Sequence, residues 1–167
     1  IILSIDKDLQ YILEKNLKEA VVKHDASLGG AGVMDVKTGE ILAMANYPTF
    51  DSNNFKKYNS QSRKLSFITD PFEPGSIFKT LTVAAALEHH SATPETSYYC
   101  ERGKFKVEDH FIKEADASEK FEWLTVSEIL RYSSNIGTTK IAFVLTYPKL
   151  KQTLKKFQIG EKTNIEW

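Results

Sequence analysis

Ser76 and Lys79 are three residues apart at the head of the segment "DPFEPGSIFKTLTVAAALE", residues 70–88. Helical spacing puts their side chains on one face, with Cβ atoms roughly 5–6 Å apart. A serine hydroxyl is a poor nucleophile until a base takes its proton. A lysine amine, with an ordinary pKa of about 10.4, is no base at neutral pH unless its surroundings lower that value. Desolvation lowers it, and the positive end of a helix pushes the same way. The same helix end offers backbone N–H groups to a developing oxyanion. A Ser-x-x-Lys pair at the start of a buried helix is therefore suited to acyl transfer.

The rest of this segment supports that reading. Leu81, Val83, Ala84, Ala85, Ala86 and Leu87 leave almost no polar face, so the helix should be buried on nearly all sides. Pro74 and Gly75 give it a sharp lead-in. A lysine in such a first turn breaks two local rules at one point, and such breaks concentrate at functional sites. The pattern alone is cheap, since Ser4-Ile5-Asp6-Lys7 matches it as an ordinary helix start. Ser76 and Lys79 also fit a serine cap with a lysine that snorkels to water.

Other elements are read from spacing. Leu9, Leu13, Leu17 and Val21 form one face of a first helix with Asp6 as its N-cap, and Ile12 and Ala20 lie beside that face. "GGAGVMDV" and "EILAMANY" flank Lys37-Thr38-Gly39 as a hairpin. Both strands are apolar on more than one face, which predicts a sheet covered on both sides. Residues 51–75 read as mostly loop with room for a short helix, and Ser52-Asn53-Asn54 as turn chemistry. Residues 91–124 read as irregular, with a small hairpin around "YYCERGKFKV".

Thr125-Val126-Ser127-Glu128 fits a capping box. The helix it starts ends near Ser133, a second begins close to Ile136, and a third runs from Pro148 to a stop at Gly160. The order predicts an α+β fold: residues 1–50 give a helix and hairpin of a sheet subdomain, 51–75 a loop, and 76–167 a helical subdomain.

The 167 residues suit one domain or a large part of one, with 41% apolar and 26% charged residues. Basic and acidic residues balance at 22 each, which argues against a nucleic-acid partner. The single cysteine, Cys100, excludes an internal disulfide and reads as a packed small residue. His24, His89 and His90 have no metal-ligand spacing, and Trp123 and Trp167 read as packing groups with room for partial exposure. No apolar run approaches the ~20 residues of a membrane span, and "IILSID" is no signal peptide. We expect a piece of a longer chain.

"EPGSIFK" resembles the nucleophile motif of penicillin-binding protein transpeptidases, and "RYSSNIGTTKIA" resembles their serine–asparagine motif. "LSIDKDLQ" and "VMDVKTGEILAMANYPTFD" resemble the opening of that domain, so the likeness runs along most of the chain and is nearest to the class B, division-type enzymes. The resemblance implies a β-lactamase/transpeptidase-like fold. It makes Ser76 the nucleophile, Lys79 its base, Ser133 the proton relay and Asn135 the group that holds the substrate amide. Read without it, Ser133 also fits a hydroxyl bonded to a backbone carbonyl, and Asn135 a helix terminator.

The implied partners are peptidoglycan stem peptides (a D-Ala-D-Ala donor and an amine acceptor) and β-lactams, with no metal or organic cofactor. The implied location is the extracytoplasmic side of the bacterial inner membrane, with a membrane anchor and a glycan-polymerising partner. The family's third motif, Lys-Thr-Gly on a strand after the helical region, is expected beyond Trp167, because Lys37-Thr38-Gly39 is placed as a turn. Without that strand the resemblance implies an inactive or weakly active fragment. The hairpin edges it leaves unpaired predict self-association, or disorder near the hairpin and residues 51–70. A serine β-lactamase and a penicillin-sensor domain of the same fold are the alternatives.

Overall fold

The computed structural model describes residues 3–60 and 62–162, so the reading of Trp167 lies outside the described residues. The chain divides into two compact units, residues 1–72 and 73–167.

In the first unit, α1 (Lys7–Lys23) starts at Asp6, whose carboxylate accepts from the Asp8 and Leu9 backbone N–H groups. Leu9, Leu13, Leu17 and Val21 turn inward as the spacing predicts, while Ile12 and Ala20 are exposed. The strands β1 (Gly29–Met34) and β2 (Ile41–Tyr47) pair antiparallel, with a bulge between Val33 and Met34. Asp35 closes the turn by accepting from the Lys37 and Thr38 N–H groups, and Gly39 adopts φ +78° there, a conformation that costs glycine nothing.

Both faces of this hairpin were expected to be covered, and the coverage is uneven. Gly29 packs on Leu17 and Val21 of α1, and Gly30 and Gly32 meet Phe67 of the short helix α2 (Ser66–Thr69). Met34 and Val36 remain exposed. The outer edge of β2 is partly occupied. Leu42 C=O accepts from the Asp6 N–H, and the Gln10 side-chain amide binds both the C=O and the N–H of Met44. A side chain thus does locally what a third strand would do. Between β2 and α2, a 3-10 segment spans Ser52–Lys57 with Asp51 as its cap, so residues 51–75 hold this segment as well as a short helix, α2.

In the second unit, a 3-10 turn (Gly75–Ile77) runs into α3 (Phe78–Glu88). Next come β3 (Ser97–Tyr99), β4 (Lys104–Val107), β5 (His110–Lys113) and β6 (Trp123–Thr125). The hairpin expected across residues 98–107 does not form. β4 pairs with β5, and β3 pairs with β6. Glu101, Arg102 and Gly103 all have positive φ, and this turn directs the chain away from β3.

The capping box at Thr125 and Glu128 starts α4 (Val126–Arg131), and α5 (Asn135–Leu145) and α6 (Tyr147–Lys156) follow. α6 ends at Phe157 instead of Gly160, with Gln158 taking the positive φ first. Val83, Ala86, Leu124, Val126, Ile129, Ile136 and Ile141 build the core of this unit around the buried Cys100. Among the described residues no helix is long and apolar enough to cross a membrane.

Candidate active site

The segment carrying Ser76 turns sharply. Gly75 adopts φ +59°, a region that costs a residue with a Cβ roughly 1–2 kcal/mol. The next residue, Ser76, is exposed in the 3-10 turn, and Lys79 is half-buried in the first turn of α3. Behind Lys79 the helix buries Thr82, Val83, Ala85 and Ala86, which anchors it along most of its length.

The Lys79 amine does not bond to Ser76. It donates to the Ser133 hydroxyl at 2.9 Å and to the Ser133 carbonyl. Among the described residues the Ser76 hydroxyl has no hydrogen-bond partner. Burial pushes the Lys79 amine below its ordinary value of 10.5, against the opposing pull of the Glu114 and Glu119 carboxylates.

Ser133 is presented by a tight junction between α4 and α5. The Ser133 N–H bonds to Leu130 C=O, and the Ser134 N–H bonds to Ile129 C=O. This pattern closes a helix with a left-handed residue, most often glycine. Here that residue is Ser133, at φ +58°. Ser134 then caps α5 by accepting from the Gly137 N–H. Placing a serine where glycine is easier costs stability and secures a hydroxyl. Ser133→Ala and Ser133→Gly both remove that hydroxyl, but only glycine relieves the backbone. Urea unfolding should find the glycine variant more stable than the alanine variant by about 1 kcal/mol. Equal stabilities would show that the junction carries no strain.

Asn135 is the first residue of α5 and does not terminate a helix. Its side-chain NH2 donates to Lys113 C=O at 2.8 Å, which leaves its side-chain oxygen as an acceptor for an incoming N–H. An open cavity of about 580 Å³ is lined by Lys79, Lys113 and Asn135, with Phe78, Phe111 and Phe143 among its apolar walls.

The structure thus brings Lys79, Ser133 and Asn135 together from two segments and places Ser76 one turn before Lys79. Lys37-Thr38-Gly39 belongs to the turn of the first unit, where Asp35 fastens it. Sequence reasoning missed Glu114. It follows β5 and is only 7% exposed. One oxygen of its carboxylate accepts from the Ser134 hydroxyl at 2.7 Å, and the other accepts from the Asn135 N–H at 2.6 Å. No local signal marks it, because its partners lie twenty and twenty-one residues away. Among the described residues no group of three or more His, Cys, Asp or Glu side chains is placed to hold a metal ion.

This arrangement can be set beside known proteins. The family described as "Penicillin binding protein transpeptidase domain" matches residues 29–167. The peptidoglycan D,D-transpeptidase FtsI of Escherichia coli K12 is 35% identical over 163 residues, covering 98% of this chain and 27% of that protein. A solved structure of the apo TP domain of Burkholderia pseudomallei penicillin-binding protein 3 aligns with a TM-score of 0.77 and 38% identity, over 92% of this chain and 41% of that one. A crystal structure described as a peptidoglycan glycosyltransferase from Burkholderia ambifaria aligns with a TM-score of 0.84 and 37% identity, over 99% of this chain and 48% of that one. The chain therefore spans about a quarter of the length of the curated relative it matches.

Proposed function

Since the chain belongs to the penicillin-binding protein transpeptidase family, with its α+β fold, we propose that it carries the acyl-transfer residues of a class B, division-type peptidoglycan D,D-transpeptidase. The observation that supports this most directly is the bond from Lys79 to the Ser133 hydroxyl, which joins residues 54 apart in the chain, Lys79 following Ser76 by three residues.

In the proposed reaction Lys79, in its neutral form, takes the proton from the Ser76 hydroxyl. The freed oxygen attacks the carbonyl carbon of the penultimate D-Ala of a donor stem peptide. A C–O bond forms, and the peptide C–N bond to the terminal D-Ala breaks. The Lys79 proton passes through the Ser133 hydroxyl to the departing amine nitrogen, and D-alanine leaves as a neutral amine. The Asn135 side-chain oxygen accepts from a donor amide N–H and fixes the carbonyl above Ser76. An acceptor amine then attacks the Ser76 ester, forming the crosslink and returning the proton to the serine. A β-lactam enters the first half of this cycle and remains as an ester.

The substrate is a D-Ala-D-Ala stem peptide with an amine acceptor from a second strand. The extracytoplasmic location, the membrane anchor, the glycan-polymerising partner and self-association of this chain all belong to this proposal and rest on the family resemblance and the strand edges.

The test is to incubate the intact protein with a fluorescent penicillin and map the adduct by peptide mass. A lasting ester on Ser76, absent from Ser76→Ala, is the expected result. Rapid release of the label would favour a β-lactamase. A folded full-length protein that takes no label at all would overturn the reading, whereas the 167-residue chain alone is expected to label weakly or not at all.

A further inference from the structure

We propose that Glu114 is a positioning residue for acyl transfer: its carboxylate bridges the Ser134 hydroxyl and the Asn135 N–H, and so holds the Ser133–Asn135 turn against Lys79. This inference rests on reading Ser76, Lys79, Ser133 and Asn135 as an acyl-transfer set.

The geometry is specific. Each Glu114 oxygen takes one donor, and the two donors belong to consecutive residues. The residues flanking that pair of bonds are Ser133, which receives the Lys79 amine, and Ile136, which is fully buried in the core. Asn135 itself is tied twice to the end of β5, by its N–H to Glu114 and by its side chain to Lys113 C=O. A buried carboxylate is costly unless its lone pairs are satisfied, and the start of an eleven-residue helix is a favourable place for one. Ser133 holds a left-handed conformation that a serine does not choose freely, so the surrounding bonds must fix it.

Glu114 also acts through its charge. The charged groups set around Lys79 are Glu114 and Glu119 beyond β5, which favour its protonated form, and Lys113 on the wall of the same cavity. Glu114 therefore does two opposed things. It places the partners of Lys79, and it resists the loss of the Lys79 proton. A purely structural carboxylate would do neither of these in a way that kinetics or titration could read.

Glu114→Gln and Glu114→Asp separate the two effects. Glutamine keeps the size but loses the charge, and its NH2 faces a donor it cannot accept from. Aspartate keeps both oxygens and the charge on a shorter arm. Penicillin acylation of the intact, folded protein should fall about 100-fold in Glu114→Gln and about tenfold in Glu114→Asp. The acidic limb of the pH–rate profile should move to lower pH in Glu114→Gln alone. The Lys79 side-chain NMR titration should move the same way, and the Asn135 amide proton should shift upfield in Glu114→Gln. Either variant, folded and acylated at the parental rate, overturns the proposal. If the parent takes no label, the reading of Ser76 fails, and the NMR signals of Lys79 and Asn135 still decide whether Glu114 holds this turn. Unmoved signals overturn it.

Discussion

Lys79→Met should lower penicillin acylation of Ser76 by about 10²–10⁴-fold, the usual worth of a general base. That range corresponds to about 3–5 kcal/mol of barrier. The loss should come without general unfolding, because the ammonium is held where burial disfavours its charge. The sign of the pH effect follows from linkage. The folded chain holds Lys79 below its ordinary value of 10.5. Between the lowered value and 10.5 the unfolded chain binds more proton than the folded one. The parent therefore gains stability as pH rises through that window. Methionine has no proton to lose, so the variant should lack this gain. Thermal melts of both proteins from pH 7 to pH 11 would measure it. Parallel curves would mean that Lys79 titrates as it does in the unfolded chain, and the case for it as a base would fail with them.

Ile129→Ala should destabilise the second unit by about 2–5 kcal/mol, the cost of emptying a packed aliphatic site. Ile129 is fully buried. Its side chain lies so close to α5 that a Cβ on Gly137 would stand 2.5 Å from its Cγ1. Glycine at 137 leaves the room this side chain occupies against α5, so truncating Ile129 opens a void between α4 and α5. The Ile129 carbonyl also takes the Ser134 N–H and so shapes the turn that presents Ser133. With about 4–8 °C of Tm for each kcal/mol in a unit of this size, the midpoint should fall by roughly 10 °C or more. Acylation by penicillin should weaken at temperatures where the variant is still folded. A midpoint within about 2 °C of the parent would show that α4 and α5 do not depend on this contact.

The features legible in the sequence are those whose causes are local. Asp6 reaches N–H groups two and three residues ahead, and Thr125 and Glu128 satisfy one another within one turn. Gly39 serves a turn closed by Asp35, four residues back. Ser76 and Lys79 stand out by a spacing of three joined to the Pro74-Gly75 lead-in and the apolar run that follows, all within one segment. What stayed hidden depends on distant partners. β3 pairs with β6 across a stretch that carries its own hairpin, and tyrosines at Tyr98 and Tyr99 suit either pairing. Glu114 in "FIKEAD" looks like any surface acid until the fold brings it under Ser134. The left-handed Ser133 is invisible for a different reason. A helix stop is read from glycine, and here the serine keeps the position in spite of its backbone preference. The bond from Lys79 to Ser133, in place of one to Ser76, likewise depends on where the α4–α5 junction lands.

Cys100 lies fully enclosed beside Ser134, and burial pushes its thiol up, away from the reactive thiolate. It is the only sulfhydryl in the chain. A thiol-specific dye can therefore mark a molecule only while the second unit is open, so the labelling rate works as a built-in clock for how often that happens. Slower labelling after penicillin treatment would mean that the acylated protein breathes less often than the free one.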